Sequence, residues 1–195
     1  MIRSLVALFL TIFLLSSQPH AAPASVQALL FPQNHCTAFS IAPHKWMTAG
    51  HCGSLGLTTD ATILDEPAWV IFLNNENDLA IFESEAEAPA LKLAKNEPRV
   101  GDIVSITGFP LEIGRVTTTG RIAALHRPIW HPILKGWMTS DILDITTAPG
   151  NSGSPVQNTH GDVVGVLWGG VQSHPLSISV PWSVLREVTR SFWAN

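Results

Sequence analysis

The sequence has few charged residues and no cluster of basic residues, and this shortage excludes a class of partner. Asp, Glu, Lys and Arg make up 13% of the 195 residues, and the 11 Lys and Arg residues are scattered along the chain. Surfaces that bind nucleic acids concentrate basic side chains on one face, often together with aromatic rings. We therefore expect no nucleic-acid partner. The sequence also contains no internal repeat and no low-complexity tract.

Long apolar runs are missing except at the N-terminal end. The run Leu5–Leu15 is 11 residues long, which is shorter than the ~20 residues that a transmembrane helix needs. Arg3 precedes it and Ala22-Pro23-Ala24 follows it, and this combination is typical of a cleaved secretory signal. We predict a signal peptide at 1–24, with cleavage before Ser25. The mature chain is expected to be periplasmic or secreted, without membrane attachment.

Cysteine is scarce, since the chain contains two, Cys36 and Cys52. A structural zinc site usually needs four Cys or His ligands, and no second close-spaced pair accompanies these cysteines. An even number of cysteines in an exported protein favours one disulfide bridge. A Cys–His metal site is the alternative at this stage. We expect the bridge, with no metal and no organic cofactor.

Recurring helical periodicity is missing from most of the chain. The sequence instead has short apolar, β-branched runs separated by Gly, Pro and Asn, which predict strands joined by turns. These runs are Thr37–Ile41, Trp46–Ala49, Trp69–Leu73, Leu79–Phe82, Ile103–Thr107, Val116–Ile122 and Val163–Trp168. Antiparallel strands that close into barrels leave no exposed edge. The sequence therefore predicts an all-β protein of two antiparallel barrels, with the crossover between them at Glu83–Glu97.

One α-helix is predicted, at the C-terminal end. Leu185, Val188 and Phe192 recur at spacings of three and four residues, which gives a single apolar stripe. Pro181 is suited to the first turn of such a helix, and Ser179 is a suitable N-cap.

The segment Thr147–Pro155 has the composition of a turn that carries a nucleophile. Its sequence is TAPGNSGSP, with Gly150 and Gly153 on either side of Ser152. Small residues let the backbone curl tightly, so that several N–H groups point at one spot. A serine hydroxyl beside such donors is the arrangement that acyl transfer requires. Taken alone, the segment also fits an ordinary surface turn.

Two other segments supply a candidate base and a candidate acid. His51 lies in Thr48–Cys52 (TAGHC), and an imidazole with a pKa of about 6.5 can accept the proton of a serine at neutral pH. Asp78 opens the apolar run Leu79–Phe82, where a carboxylate needs a partner such as an imidazole N–H. Three other acids in the same interval are interpreted as ordinary loop residues: Asp60, Asp65 and Glu76.

Together, TAGHC, NDLAI and GNSGSP resemble the motifs of trypsin-like serine peptidases of the chymotrypsin fold. The order His51, Asp78, Ser152 is the order used by that family. The serine motif is most similar to those of bacterial glutamyl endopeptidases and high-temperature-requirement proteases, and the resemblance covers about residues 36 to 185. It implies two six-stranded barrels, at about 25–96 and 97–195, with the C-terminal helix packed on the second. Because the sequence ends at Asn195, we expect no additional peptide-binding domain.

The resemblance also implies a role for each candidate residue. Ser152 would attack the carbonyl, His51 would act as general base, and Asp78 would orient His51. The backbone N–H groups of Gly150 and Ser152 would form the oxyanion hole. The bridge Cys36–Cys52 would match the family disulfide that lies beside the histidine.

The substrate-binding residues follow from the same resemblance. Thr146 occupies the position of the aspartate of trypsin, and Thr147 matches a threonine of the glutamyl endopeptidases. Leu167 stands where those enzymes carry a histidine, directly before Trp168-Gly169, whose edge would pair with an extended substrate. A charged side chain would find no counter-charge in such a pocket. We expect a preference for an uncharged residue, such as Val or Leu, before the cleaved bond.

The apolar, proline-containing segment Arg127–Trp137 matches none of these motifs. It is interpreted as a loop folded over the second barrel, and a subsite or partner contact is the alternative.

The sequence thus predicts an exported, monomeric serine endopeptidase that acts on polypeptides. Two alternatives stay open: an inactive relative that keeps the cleft as a binding module, and a serine esterase on the same fold. The presence of all three candidate catalytic residues argues against the first alternative. The sequence does not distinguish the second from peptide hydrolysis.

Overall fold

The computed structural model describes residues 24–171 and 174–193, so that the predicted signal peptide lies outside the described residues except for Ala24. The first six strands are β1 (Val26–Leu30), β2 (His35–Ala42), β3 (Lys45–Ala49), β4 (Ala61–Ile63), β5 (Glu66–Asn74) and β6 (Leu79–Ser84). The next six are β7 (Ile103–Gly108), β8 (Val116–His131), β9 (Gly136–Asp144), β10 (Pro155–Asn158), β11 (Val163–Val171) and β12 (Leu176–Pro181). In these described ranges two α-helices accompany them: α1 (Gly50–Gly56) and α2 (Trp182–Thr189).

The strands form two closed antiparallel barrels. The first barrel has the order β1-β2-β3-β6-β5-β4, and the second has the order β10-β11-β12-β9-β8-β7. Strands of the first barrel bury large side chains that are completely inaccessible to solvent, among them Phe39, Trp46 and Phe82. Ile106, Ile122 and Leu143 are similarly buried in the second barrel. The predicted two-barrel, all-β fold is confirmed.

All seven apolar runs named from the sequence lie within observed strands. The strands that were not predicted are β1, β4, β9, β10 and β12. β4 has only three residues, and β10 begins at Pro155, directly after the serine turn. β9 carries Ser140, Asp141 and Asp144, so its sequence lacks a continuous apolar run. Short or polar strands of this kind form because barrel closure supplies their hydrogen-bonding partners.

The interpretation of Arg127–Trp137 as a loop is wrong. Strand β8 continues to His131 and pairs with β9, so the segment is a β-hairpin in which Trp130 lies opposite Trp137 and His131 opposite Gly136. The amide of Lys135 donates to the carbonyl of His131 at 2.8 Å and closes the turn. The two tryptophan rings contact each other edge to face, with centroids 5.9 Å apart. Cross-strand aromatic pairing of this kind extends a hairpin beyond a barrel.

The C-terminal helix is present, but its start and its packing differ from the prediction. Ser179 lies in β12, and Pro181 precedes the helix as the N-cap residue. Leu185 is completely buried. Phe192 follows in a short 3-10 helix, and its ring lies 5.2 Å from that of Phe72 on β5 of the first barrel. The helical end of the chain therefore packs on both barrels rather than on the second alone.

In the part of the chain that the structure describes, no helix is long and apolar enough to cross a membrane.

Candidate active site

His51 lies in the first turn of α1, directly after strand β3. Gly50 allows this placement because a Cβ at position 50 would lie 2.8 Å from the amide nitrogen of Leu79 and 2.9 Å from the Cα of Asp78. The main chain at position 50 therefore packs directly against the start of β6. The His51 amide donates to Asp78 Oδ1 at 2.6 Å. Backbone packing and this hydrogen bond bring the candidate base and acid together.

Asp78 is completely buried and holds the His51 ring in one orientation. Its Oδ2 accepts a hydrogen bond from His51 Nδ1 at 2.9 Å. Because Nδ1 carries the proton in this arrangement, Nε2 of the neutral ring is free to accept one. Burial acts to raise the pKa of Asp78, but hydrogen bonds from His131 and His51, together with the attraction to either ring when it is protonated, outweigh it, and the pKa is lowered to about 2. Asp78 is therefore ionised at neutral pH.

The other three acids considered from the sequence lie away from this contact. Asp60, Asp65 and Glu76 are all exposed to solvent.

The predicted disulfide between Cys36 and Cys52 is confirmed, with a Cα–Cα distance of 6.4 Å. It joins β2 to α1 and involves the residue directly after His51. In the chain-entropy model, closure of a loop of this length contributes about 3 kcal/mol to stability. The bridge also restrains the first turn of α1, on which the orientation of His51 depends.

Ser152 lies in a tight turn between β9 and β10. Gly150 and Gly153 have φ angles of 96° and 87°, which side chains with a Cβ rarely adopt. A Cβ at Gly150 would collide with the ring of His35 and the carbonyl of Phe109, and one at Gly153 would collide with Thr48 Oγ1. Both glycines are therefore required by backbone conformation and by the lack of space.

The turn leaves two N–H groups unpaired. The amides of Asn151, Gly153 and Ser154 donate to main-chain carbonyls at 3.1, 2.7 and 2.9 Å. Among the described residues, no hydrogen bond is donated by the amides of Gly150 and Ser152. A pair of unpaired N–H groups flanking a serine can bind a negatively charged oxygen. These are the two groups predicted from the sequence to form the oxyanion hole.

Thr37 on β2 attaches the serine turn to the first barrel, although no sequence motif predicted this role. Its amide donates to the carbonyl of Ser152 at 2.8 Å, and its hydroxyl donates to the carbonyl of Gly150 at 2.8 Å. The residue after the serine, Gly153, packs against Thr48 and Ala49. Ser152 is thereby held beside the start of α1, although no hydrogen bond joins its hydroxyl to His51 among the described residues. Catalytic hydrogen bonds often tighten only in the complex with substrate.

A pocket of about 500 Å³ lies beside Ser152. Four of the predicted substrate-binding residues line it, namely Thr146, Thr147, Leu167 and Gly169. Besides Leu167, the lining includes five further apolar residues, which are Ile133, Ala148, Pro149, Val171 and Leu176. Among the described residues of the lining, none is Asp, Glu, Lys or Arg.

Trp168 occupies a different position from the other predicted substrate-binding residues. It lies at the bulge where the β11–β12 register shifts between Leu167 and Gly169. Its indole is buried, donates to Ser140 Oγ at 3.2 Å, and packs on the His131 ring with centroids 4.4 Å apart. The side chain of Trp168 thus packs against Ser140 and His131 and does not line the pocket.

His131 is the second residue of the site that no sequence motif predicted. Its side chain is 1% exposed, and its Nε2 lies 3.2 Å from Asp78 Oδ2. The segment Arg127–Trp137 stands out in the sequence for its apolar character, and no motif assigns a role to the histidine within it. A histidine flanked by Trp130 and Pro132 in an otherwise apolar stretch is the signal that was available.

Known proteins with similar sequences give the family. Residues 36–166 match the family described as trypsin-like peptidase domain, and the chain belongs to this family. A probable periplasmic serine endoprotease, DegP-like, of Halomonas elongata is 29% identical over 101 residues, or 51% of this chain and 21% of that protein. Its counterpart in Pseudomonas fulva is 30% identical over 136 residues, or 66% of this chain and 27% of that protein. The chain thus spans at most 27% of the length of these two curated relatives.

Solved structures share the fold. The HtrA-type protease AlgW with tripeptide has a TM-score of 0.74 at 22% identity, covering 87% of this chain and 60% of that one. The serine endoprotease from Yersinia pestis has a TM-score of 0.71 at 18% identity, and the match covers 87% of this chain and 63% of that one. The resemblance drawn from the three sequence motifs is confirmed.

Proposed function

We propose that this protein is a serine endopeptidase that cleaves polypeptides through an acyl-enzyme on Ser152. The observation that carries the proposal is a buried, ionised Asp78 bonded to His51 Nδ1, next to a serine turn with two unpaired N–H groups. The family assignment and the serine-protease relatives support the same reaction.

In the proposed mechanism, Ser152 Oγ attacks the carbonyl carbon of the substrate while His51 Nε2 takes the hydroxyl proton. The resulting oxyanion accepts hydrogen bonds from the amides of Gly150 and Ser152. Asp78 keeps the Nδ1–H tautomer in place and stabilises the imidazolium. His51 then donates the proton to the leaving amine as the C–N bond breaks. A water molecule, activated by the same base, hydrolyses the acyl-enzyme and restores the serine.

The pocket beside Ser152 is proposed to bind the side chain that precedes the cleaved bond. Its apolar lining and the neutral Thr146 favour an aliphatic side chain. The edge of β11 beyond Val166 has no β10 partner in the described residues. An extended substrate can therefore pair with Gly169–Val171 as an added strand.

We infer that the protein acts outside the cytoplasm, in the periplasm or the medium. The sequence pattern of a signal peptide at 1–24 and the disulfide between Cys36 and Cys52 both support this location. The DegP-like relatives are named as periplasmic proteins. A monomer remains the proposal from the sequence.

A fluorophosphonate probe tests the proposed function directly. Mass spectrometry of purified, oxidised protein is expected to show one covalent adduct on Ser152. His51→Ala should abolish labelling because the serine then has no base, whereas His160→Ala, which changes an exposed histidine in the β10–β11 turn, should label like the wild type.

Two results of the probe experiment would contradict the proposal. Folded wild-type protein that stays unlabelled supports an inactive binding module. Protein that is labelled and cleaves ester substrates, yet leaves denatured casein and a peptide library intact, supports an esterase.

A further inference from the structure

His131 contacts the candidate catalytic pair without belonging to any of the motifs that define it. The residue ends strand β8 in the hairpin that extends beyond the second barrel. Its ring contacts those of Trp168 and His51, with centroids 4.4 Å and 5.8 Å away. A histidine with 1% exposure, in contact with two other rings, has its orientation determined by the fold.

The two ring nitrogens of His131 have distinct partners. The amide of Leu134 donates to His131 Nδ1 at 3.1 Å, so Nδ1 must be unprotonated. A neutral imidazole with an unprotonated Nδ1 carries its proton on Nε2. That nitrogen faces Asp78 Oδ2 at 3.2 Å. His131 is therefore a neutral N–H donor to the Asp78 carboxylate, and the turn of its own hairpin selects this tautomer.

Among the described residues, Asp78 receives hydrogen bonds from His51 and His131 alone. His51 donates its amide to Oδ1 at 2.6 Å and its Nδ1–H to Oδ2 at 2.9 Å. Both of these donors belong to a single residue of the first barrel. The contact from His131 adds a second donor to Oδ2, and it comes from a different barrel.

We propose that His131 is a positioning residue, which donates from Nε2 to Asp78 and so holds the carboxylate and the His51 ring in the geometry for proton transfer. The proposal rests on the proposed peptidase function. It gives the β8–β9 hairpin a defined role, which is to carry a donor from the second barrel to the acid at the start of β6. Ile133 of the same turn lines the pocket beside Ser152, so the hairpin reaches both parts of the site.

A metal site is the competing explanation for this cluster. The nearest ligand atoms of His51, Asp78 and His131 all lie within 4.8 Å of one another. Coordination through His131 Nε2 would require that nitrogen to lose its proton while Nδ1 still accepts from Leu134, which is the imidazolate form. Such a ligand is much more costly to form than a neutral imidazole bonded to a carboxylate. The second partner of His131 therefore favours hydrogen bonding over metal binding.

The proposal predicts a change in the pH dependence of catalysis. The titratable side chains in contact with His51, among the described residues, are Asp78 at the start of β6 and His131 on β8. Removal of a neutral N–H donor leaves the negative charge of Asp78 less compensated. That charge then stabilises protonated His51 more strongly, so the acid limb of the kcat/KM profile moves to higher pH.

Two substitutions separate the two nitrogens of His131. In His131→Asn the side-chain oxygen can still accept from Leu134, but the shorter side chain does not reach Asp78. In His131→Gln the amide nitrogen can occupy the position of Nε2 and donate to Asp78. The matched controls are His160→Asn and His160→Gln, which make the same changes at an exposed histidine.

The experiment measures kcat, KM and the pH profile of each variant on a peptide substrate, with and without EDTA. We expect His131→Asn to lower kcat about tenfold or more, the rate equivalent of one hydrogen bond to a charged group. KM should stay within about twofold because His131 does not line the pocket. The acid limb of the kcat/KM profile should move to higher pH by about half a pH unit or more. His131→Gln should restore kcat to within about threefold of the wild type.

Three results would overturn the inference. The first is a His131→Asn variant in which both kcat and the acid limb of the kcat/KM profile are unchanged. The second is an equal loss of kcat in His131→Asn and His131→Gln without any shift of the acid limb, which indicates structural support only. The third is an effect of EDTA or added Zn²⁺ on the wild type that both His131 variants lack, which indicates a metal site. Thermal unfolding of each variant, measured in protein that also carries Ser152→Ala, shows whether the variant folds. A His131→Asn variant that does not unfold cooperatively indicates that His131 has a structural role only. An inactive wild type contradicts the proposed function instead.

Discussion

Gly150 combines a conformational requirement with a steric one. Its φ of 96° is strained for any residue with a Cβ, and a Cβ would meet the ring of His35 and the carbonyl of Phe109. His35 itself is fixed, since its Nε2 donates to that carbonyl at 2.7 Å. Neither neighbour can move without disturbing the turn, so the amide of Gly150 depends on the absence of a side chain.

Gly150→Ala is predicted to abolish most activity by displacing an oxyanion-hole donor. The expected loss in kcat is about 100-fold or more, because removal of one such donor costs about 3 kcal/mol of transition-state stabilisation. Steady-state kinetics on a peptide substrate measures it.

Gly114→Ala is the matched control for this substitution. Gly114 has a φ of 94° and nothing within 4 Å of its would-be Cβ. It therefore shares the conformational strain without the collision, and kcat should stay within about twofold. Equal losses in the two variants would assign the effect to backbone strain rather than to the oxyanion hole.

At the scale of secondary structure, the β8–β9 pair carries a buried acid as well as His131. Asp141 on β9 is 2% exposed and accepts a hydrogen bond from the amide of His126 at 2.9 Å. Burial raises the pKa of Asp141, and the negative charge of Glu97 adds to this effect. The hydrogen bond from His126 and the charge of that ring act in the opposite direction, and the net result is a pKa of about 6. The carboxylate is bonded at a register shift of the hairpin between Ala124 and Arg127.

Asp141→Asn is predicted to stabilise the protein at neutral pH. From pH 3.8, the ordinary pKa, to about 6, the folded protein retains a proton that the unfolded chain has released. Stability therefore falls as the pH rises through this range, and the loss persists above it. Asn cannot ionise and keeps an oxygen for the His126 amide. The expected gain at pH 7 is about 3 kcal/mol.

Urea unfolding at pH 7 and at pH 3.5, with Ser152→Ala to prevent self-cleavage, measures the effect of Asp141→Asn. The gain should disappear at pH 3.5, where Asp141 is largely protonated in both the folded and the unfolded state of the wild type. Asp144→Asn, an exposed acid on the same strand, is the control and should change stability little at either pH. A gain that is the same at both pH values would show that ionisation of Asp141 is not its cause.

At the scale of the whole molecule, the site exists only where the two barrels meet. The first barrel supplies His51 and Asp78, and the second supplies the serine turn and His131. Thr37 joins them by bonding to the carbonyls of Ser152 and Gly150. The pocket beside the serine has walls from the β9–β10 turn, from β11 and β12, and from Ile133 of the hairpin.

The pocket predicts a preference for Val or Leu before the cleaved bond. A Lys, Arg or Glu side chain would lose its water there without a counter-charge from Asp, Glu, Lys or Arg in the described lining, at a cost of several kcal/mol. In a peptide library varied only at this residue, kcat/KM for Val and Leu should exceed that for Glu, Lys and Arg at least tenfold.

His174 provides the control for substrate specificity because it lines the same pocket and can carry a positive charge. The preference for Val and Leu should persist in His174→Ala. A tenfold preference for Glu that this substitution removes would assign the specificity to His174 and contradict the aliphatic pocket. A tenfold preference for Lys or Arg would contradict the interpretation of Thr146 as a neutral pocket residue that gives no counter-charge.

The sequence by itself determined the features that depend on local pattern and on short motifs. Seven apolar runs predicted strands, and a stripe of Leu185, Val188 and Phe192 predicted the final helix, because alternation and helical spacing are properties of neighbouring residues. The three motifs also determined the family, since small residues around a serine and a histidine are specific in combination. The pairing of Cys36 with Cys52 followed from the same resemblance.

Only the tertiary structure decided the contacts between residues that are far apart in sequence. His131 lies 53 positions from Asp78, and Thr37 lies 113 positions from Gly150. Barrel closure and hairpin register bring them together, and neither leaves a trace in local composition. Arg127–Trp137 reads as an irregular loop because its prolines and exposed tryptophans obscure strand alternation. Its pairing with β9, and with it the place of His131 against the acid, results from the closure of the second barrel against the first.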